Sequence, residues 1–251
     1  MVLRPVSGRL DDIDAVCLRL FLEFEDAFDL DWTHLLRLRR EVYQTGRMLL
    51  EMDPERHDSL RQLLYPPAPT DTRMRRLAPV TPSPFVLQMR QPTWQHLEPG
   101  DVLPLDFLLI GRGRFLAHSF ITLVGALGNR GLFHDHGRFA LVQASAVDPD
   151  GRETSVWRAD TPWREPAWPL FRLWSADVPL RPITLEFLTP ARILSRGKPL
   201  FRPDLRHLVM AMTRRVSSLV YSWCDVDLFD NVRDYLNELP DTSPQGDLVW
   251  Q

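Results

Sequence analysis

Residues 128–139, GNRGLFHDHGRF, place His134 and His136 on either side of Asp135, with Arg130 and Arg138 at the flanks. In a strand-like loop, positions i and i+2 point the same way, so the pair has the geometry to share a metal. It has equally the chemistry to move a proton, to contact a polyanion, or to sit as a solvated turn. No third histidine or cysteine adjoins it, and Cys17 and Cys224 lie far apart without a CxxC pair; no metal and no other cofactor is therefore expected. Arg112 and Arg114, in GRGR at 111–114, precede a predicted helix whose N-terminus would favour phosphate. Arg192, Arg196, Lys198 and Arg202 put four cations within eleven residues, in a loop shaped by Gly197 and Pro199. Two further titratable groups share one predicted helix. His34 falls in its first turn, where the helix dipole lowers an imidazole pKa and keeps it a neutral proton acceptor. Tyr43 follows about two turns later, as a proton donor or a packed aromatic. His57 and His207 sit on polar helix faces and carry less weight.

The elements that must position these groups read as follows. AVCLRLFLEFEDAF puts Val16, Leu18, Leu20, Leu22 and Phe24 on one face and Cys17, Arg19, Phe21 and Glu23 on the other, the pattern of a half-buried strand. Asp31 or Thr33 can cap the next helix, with Leu35, Leu36, Leu38 and Val42 at near-helical spacing. A short helix is expected within PERHDSLRQLLY. The proline-rich stretch 66–100 argues for an extended crossing that includes a strand at PFVLQM. DVLPLDFLLIG is a strand, RFLAHSFITLVGALG a helix with Leu116, Phe120, Leu123, Val124 and Leu127 inward, and GRFALVQASAV another strand. DPDG at 148–151 turns into a hairpin through RETSVW. The tryptophan- and proline-rich run 158–182 is either a linker pinned by its aromatics or a platform for stacking bases. ITLEFLTPARI is a strand, and 205–220 a helix with Leu205, Leu208, Val209, Met212, Val216, Leu219 and Val220 on one face. Arg206, His207, Arg214 and Arg215 fall on its outer side, and a last helix is expected within DLFDNVRDYLNEL. Strand, helix, strand, strand, helix, strand is the order of a ferredoxin-like unit with two helices on one face of an antiparallel sheet.

At 251 residues, 44% of them hydrophobic, the chain can bury one large or two ordinary cores. A formal charge of −3 excludes a uniformly basic coat for nucleic acid, so any polyanion binding must come from local clusters. Lys198 is the only lysine; every other cation is arginine, which binds phosphate bidentately and stacks on bases. No signal-peptide run or membrane-length apolar segment occurs, so a cytoplasmic protein is expected.

PSPFVLQ, LEPGDVLPLDFLLIGRG, GALGNRGLFHDHGRFALV and ITLEFLTPARILSRGKPLFRPDLRHLVMAMTRRVSSL, in that order, resemble the CRISPR-associated RAMP family of pre-crRNA-processing endoribonucleases, the sixth in the Cas numbering. The resemblance covers roughly 84–222, with a weaker part at 10–50. It implies tandem ferredoxin-like (RRM-like) domains gripping CRISPR repeat RNA. It implies metal-independent cleavage, in which a base takes a ribose 2'-hydroxyl proton, the oxygen attacks the adjacent phosphate, and an acid protonates the leaving 5'-oxygen. His34 lies where the family often places its base, and Tyr43 is then the candidate acid. Arg112, Arg114, Arg130, His134, His136, Arg138, Arg192, Arg196, Lys198 and Arg202 become candidate RNA contacts.

The expected architecture is α+β: an N-terminal ferredoxin-like domain over 1–160, a Trp/Pro-rich linker at 161–182, and a partial second ferredoxin-like domain over 183–251. Family members carry further strands and a glycine-rich loop after the helix, so the second domain is expected to be half present. A partner chain, self-association or docking onto the first domain is then needed to cover its helix. Family members also favour glycine and basic residues where this chain has His134 and His136, which makes Arg130 and Arg138 the stronger contacts. A non-catalytic RNA-binding or scaffolding relative is the alternative function, and an unrelated His/Asp enzyme a third.

Overall fold

The computed structural model of the protein describes residues 12–53, 58–88, 94–133, 136–172, 193–195, 198–200 and 204–228. In chain order these form β1 (Asp14–Phe24), β2 (Phe28–Asp31), α1 (Trp32–Met52), α2 (Asp58–Leu64), α3 (Thr72–Leu77), β3 (Phe85–Gln88), β4 (Trp94–Leu97) and β5 (Val102–Ile110). A 3-10 turn (Gly111–Leu116) leads into α4 (Ala117–Arg130), β6 (Phe139–Val147), β7 (Glu153–Arg158) and β8 (Phe171–Arg172). β9 (Leu194–Ser195), β10 (Lys198–Pro199) and α5 (Leu205–Cys224) complete the described elements. The strand expected at 183–193, apart from Ile193, and the helix expected within DLFDNVRDYLNEL, apart from Asp227 and Leu228, lie outside the described residues.

The main sheet has the order β3-β5-β1-β6-β7, antiparallel throughout, with β8 pairing the first residues of β1. The class is therefore α+β with antiparallel sheets. β1 is central because it supplies eleven residues of clean alternation, long enough to pair on both edges. Leu18 faces Phe107 on one side and Ala146 on the other, one row of a continuous apolar face. Val16, Leu18, Leu20, Leu22 and Phe24 are at most 1% exposed. They share one core with Leu38 and Val42 of α1 and Phe120, Leu123, Val124 and Leu127 of α4. Each such side chain stabilises the fold by about 1.5–3 kcal/mol on burial. That apolar face decides α4 as helix despite its β-branched run.

On the sheet's other face, Arg19 donates to both carboxylate oxygens of Asp106 at 2.6 and 2.8 Å and reaches Glu153 on β7. These two carboxylates raise the guanidinium pKa, the hydrogen bond to Asp106 first. The pair ties β1, β5 and β7 together across the open face.

Two expectations are corrected. The proline-rich crossing is not wholly extended: α3 forms between prolines 69 and 79, where Asp71 accepts from Met74 N and the Arg75 side chain bonds the Pro69 and Thr70 carbonyls. Six residues need no proline-free stretch longer than this. The buried face of α5 is also rotated from its apolar stripe. Leu208, Leu219, Val220 and Trp223 are buried together with Thr213, Ser217 and Ser218, whereas Met212 and Val216 are 59% and 41% exposed. The small hydroxyl residues let the helix approach closely, and close approach outweighs the burial of two more apolar side chains.

Docking onto the sheet domain covers this helix. Leu219 and Trp223 belong to the same core as β1, and the Trp223 indole donates to the Pro82 carbonyl at 2.8 Å. Gly111 makes this possible: its φ is +52°, and a Cβ there would lie 2.1 Å from the Trp223 carbonyl oxygen. The described part of the linker is pinned too. Trp163, Trp168 and Leu170 pack on the core, and Trp163 stacks on His118 at 5.0 Å.

Candidate nucleic-acid interface

The described residues singled out from the sequence fall mainly into two places, and a third place holds Tyr43 in a cleft that the sequence did not mark as a site. The first is the end of the molecule where α4 turns into β6. Asp31 caps α1 by accepting from Thr33 N at 2.8 Å and His34 N at 3.0 Å, while its own N–H donates to His34 Nδ1 at 3.2 Å. These contacts, the Thr33 hydroxyl first and the His34 amide second, hold the Asp31 carboxyl below the usual carboxylate range. His34 Nδ1 also lies 2.8 Å from Asp31 Oδ1. One nitrogen serves one role at a time: neutral, it accepts from the backbone; protonated, it donates to the carboxylate. The ring stands edge-on between Phe28 and Phe133, 5.0 and 4.9 Å from their centroids.

Phe133 comes from the histidine loop, so the fold does bring that loop to His34. Phe133 and His136 pair by backbone bonds in both directions, and Gly137 turns at φ +67° against Phe28. Arg138 N donates to Asp26 Oδ1 while the residue itself is exposed, and the Arg37 guanidinium lies 5.3 Å from the Phe133 centroid. His34, His136, Arg37 and Arg138 thus gather around one loop. His134 and Asp135 lie outside the described residues. Among the described residues no group of three His, Cys, Asp or Glu is placed to hold a metal ion.

The second place is a set of arginines already engaged. Arg114 donates to both oxygens of Asp14 at 2.9 and 3.1 Å and to the Gly111 carbonyl. Arg112 reaches the Ser222 carbonyl and Asp225 at the end of α5. Arg130 bonds Gln44 and Thr45 and pairs with Glu41 on α1 at 3.2 Å. All three hold one element to another. Of the cationic loop, Lys198 is exposed on the β9–β10 pairing; Arg192, Arg196 and Arg202 lie outside the described residues, as does His57. His207 contacts the capping carboxylate of Asp204 at 2.7 Å.

The third place was not singled out from the sequence. A cleft of about 790 Å³ opens between α1, the segment from Leu64 to Ser83, and α5. Arg39 and Tyr43 of α1, Arg214 and Arg215 of α5, and Tyr65, Thr81 and Ser83 between them line it. None of its described lining residues is acidic. Arg39 lies over the Tyr43 ring at 5.5 Å, and Tyr43 meets Tyr65 edge-on at 5.8 Å. Ser83 donates to the Leu64 carbonyl at 3.4 Å, so the Tyr43 hydroxyl donates to Ser83. Burial and then the charge of Arg39 lower the Arg215 pKa, with Tyr43 opposing them. A narrower pocket of about 150 Å³, also lined by Arg39, Ser83 and Arg215, extends it towards Phe85 and Phe107.

This placement separates the two titratable residues of α1. Nine residues at 1.5 Å and 100° each put Tyr43 about 13 Å along the axis and half a turn around from His34. They face different regions and do not form one acid–base pair. The only sequence trace of the cleft was the Arg39–Tyr43 spacing of four and the Arg214–Arg215 pair. An i, i+4 pair is commonplace on helices.

A protein-family profile described only as an N-terminal domain matches residues 55–168, less than half of the 251 residues. It spans α2 through β7 and the pinned tryptophans and leaves out β1, α1 and α5. No curated protein sequence matches the chain. No helix among the described residues is long and apolar enough to cross a membrane.

Proposed function

We propose that the chain is an RNA-binding protein of the CRISPR RAMP class that engages the repeat RNA of a pre-crRNA and cleaves it by metal-independent 2'-hydroxyl attack. The observation that carries this reading is topological. β1, α1, β3, β5, α4 and β6 follow one another in the order of a ferredoxin-like unit, and their sheet order β3-β5-β1-β6 is antiparallel. The resemblance in sequence implies that unit, and three of its four motifs fall on these elements. The fourth runs into α5, which the reading assigns to a second, partial ferredoxin-like domain over 183–251.

In the nuclease reading the chemistry belongs to the loop end. His34, with Nδ1 accepting from the Asp31 amide, carries its proton on Nε2; released from that bond, Nδ1 takes the 2'-hydroxyl proton. The 2'-oxygen then attacks phosphorus, the bond to the 5'-oxygen breaks with that oxygen taking a proton from water, and a 2',3'-cyclic phosphate remains. Arg37 and Arg138 supply positive charge to the phosphorane.

The non-catalytic alternative, an RNA-binding or scaffolding subunit, has one observation in its favour: the cap engages His34, and Tyr43 faces elsewhere. One assay separates the two. The full-length protein is incubated with candidate repeat RNA in EDTA. Products ending in a cyclic phosphate, with a rate cut by about 10²-fold or more in His34→Ala, support the nuclease. Binding without cleavage supports the subunit, and cleavage that requires added divalent metal overturns both.

A further inference from the structure

We infer that the cleft between α1 and α5 is a nucleotide-binding site, seating a phosphate between Arg39 and Arg215 and a base against Tyr65. Arg39, Arg214 and Arg215 are solvent-exposed along the cleft, and its described lining offers their guanidinia no carboxylate, so their directional donors are uncommitted. The half-buried arginines described above each have a carboxylate partner: Arg19 has Asp106, Arg114 has Asp14, Arg130 has Glu41. Arg39 and Arg215 instead line the same cleft and its narrower extension, where burial and then the charge of Arg39 lower the Arg215 pKa. A phosphate group resolves that repulsion, since its oxygens accept from two planar guanidinia at once.

The rest of the cleft suits the remainder of a nucleotide. Its volume of about 790 Å³ falls in the range of small-molecule sites. Tyr65, 48% exposed at the mouth, presents an aromatic face braced edge-on by Tyr43. Thr81, Ser83 and Ser218 supply hydroxyls at the wall. A free fatty or aliphatic ligand would leave the arginines unpaired, and a peptide carboxylate would leave the tyrosines without a role.

The nucleotide site stands on this geometry. That its nucleotide belongs to an RNA strand rests on the function proposed above. The test uses the full-length protein with two probes, AMP and a short oligouridine, in the absence of divalent metal. The double variant Arg39→Gln/Arg215→Gln is expected to bind both at least about tenfold more weakly, since it removes two charge-assisted donors to the phosphate. Its plot of log affinity against log salt for the oligomer should flatten by about 0.7 for each phosphate that the variant no longer neutralises. Tyr65→Leu should weaken both by about tenfold through the absence of stacking. The glutamines relieve a repulsion, so the double variant should melt no lower than wild type, which makes a binding loss readable as loss of the site.

Loss for AMP alone supports the site and overturns the strand as its source. Undetectable binding of both probes to wild type, or unchanged binding in a folded double variant, overturns the site. Failure of cleavage with binding intact removes the nuclease and leaves the cleft. Unchanged binding in the double variant with cleavage intact does the reverse.

Discussion

The arginines of this molecule form two populations. Arg114 and Arg130 each meet a carboxylate on another element and are 22% and 28% exposed. Arg39, Arg214 and Arg215 converge on a cleft whose described lining is free of carboxylates. The first set holds the fold together, and the second holds charge ready for something the fold does not itself supply. Arginine density alone therefore does not locate a nucleic-acid surface, because a guanidinium with an internal partner has already committed its directional donors.

The comparison can be broken from the structural side first. Trp223 seals α5 on the 3-10 turn, and Trp223→Ala should lower unfolding free energy by about 3–5 kcal/mol, read by denaturant titration. Cleft binding should fall with it, because one wall is displaced; an unchanged midpoint would mean that α5 is not docked as described. Arg114→Met comes next. It leaves the half-buried Asp14 without its partner, at about 2 kcal/mol, between the values for exposed and buried pairs. Oligouridine affinity should stay within about twofold of wild type, as the contact is a clamp. A large loss of RNA affinity in a stable Arg114→Met protein would merge the two populations.

Arg215→Gln should show the opposite pattern, with an unchanged or raised Tm and weakened binding. The smallest effect tests the cap that holds His34. Asp31→Ala should cost about 1 kcal/mol near neutral pH. The Asp31 carboxyl is held below its unfolded value of about 3.9. Its ionised form therefore adds stability above that pH and loses it as pH falls through the lowered folded value. The difference between wild type and Asp31→Ala in thermal melts should accordingly shrink below about pH 4. A difference constant down to about pH 3 would show that charge has no part in the cap.

Sequence reasoning reached the elements whose signal is local. The alternation of β1, the inward positions of α4 and the Asp31 cap are each set by neighbours within a few residues. It missed α3, since a helix of six residues fits between prolines that forbid a longer one. On α5 it placed Leu208, Leu219 and Val220 inward, as the structure has them, but also Met212 and Val216, which are exposed, because the partner surface that decides the helix rotation is distant in sequence. The engaged arginines looked free for the same reason: Asp14 lies 100 positions from Arg114, and Gln44 lies 86 from Arg130. The cleft is assembled from three segments, and although Tyr43, Arg214 and Arg215 stand out singly, nothing local in the sequence joins them.

The docking of α5 also orders events during synthesis. Trp223 bonds Pro82 across 141 positions, and Cys224 lies 3.8 Å from the Asp14 carbonyl across 210. Closing loops of that length is a slow, late step compared with local helix formation. Translation runs at about 5–20 residues per second, so the sheet and its two helices have seconds to assemble before residue 224 leaves the ribosome. A nascent chain in that interval exposes α1 without the opposing Arg214 and Arg215, and cannot yet hold a polyanion between them. On the nucleotide-site proposal, competence for the ligand waits until α5 has been made and docked.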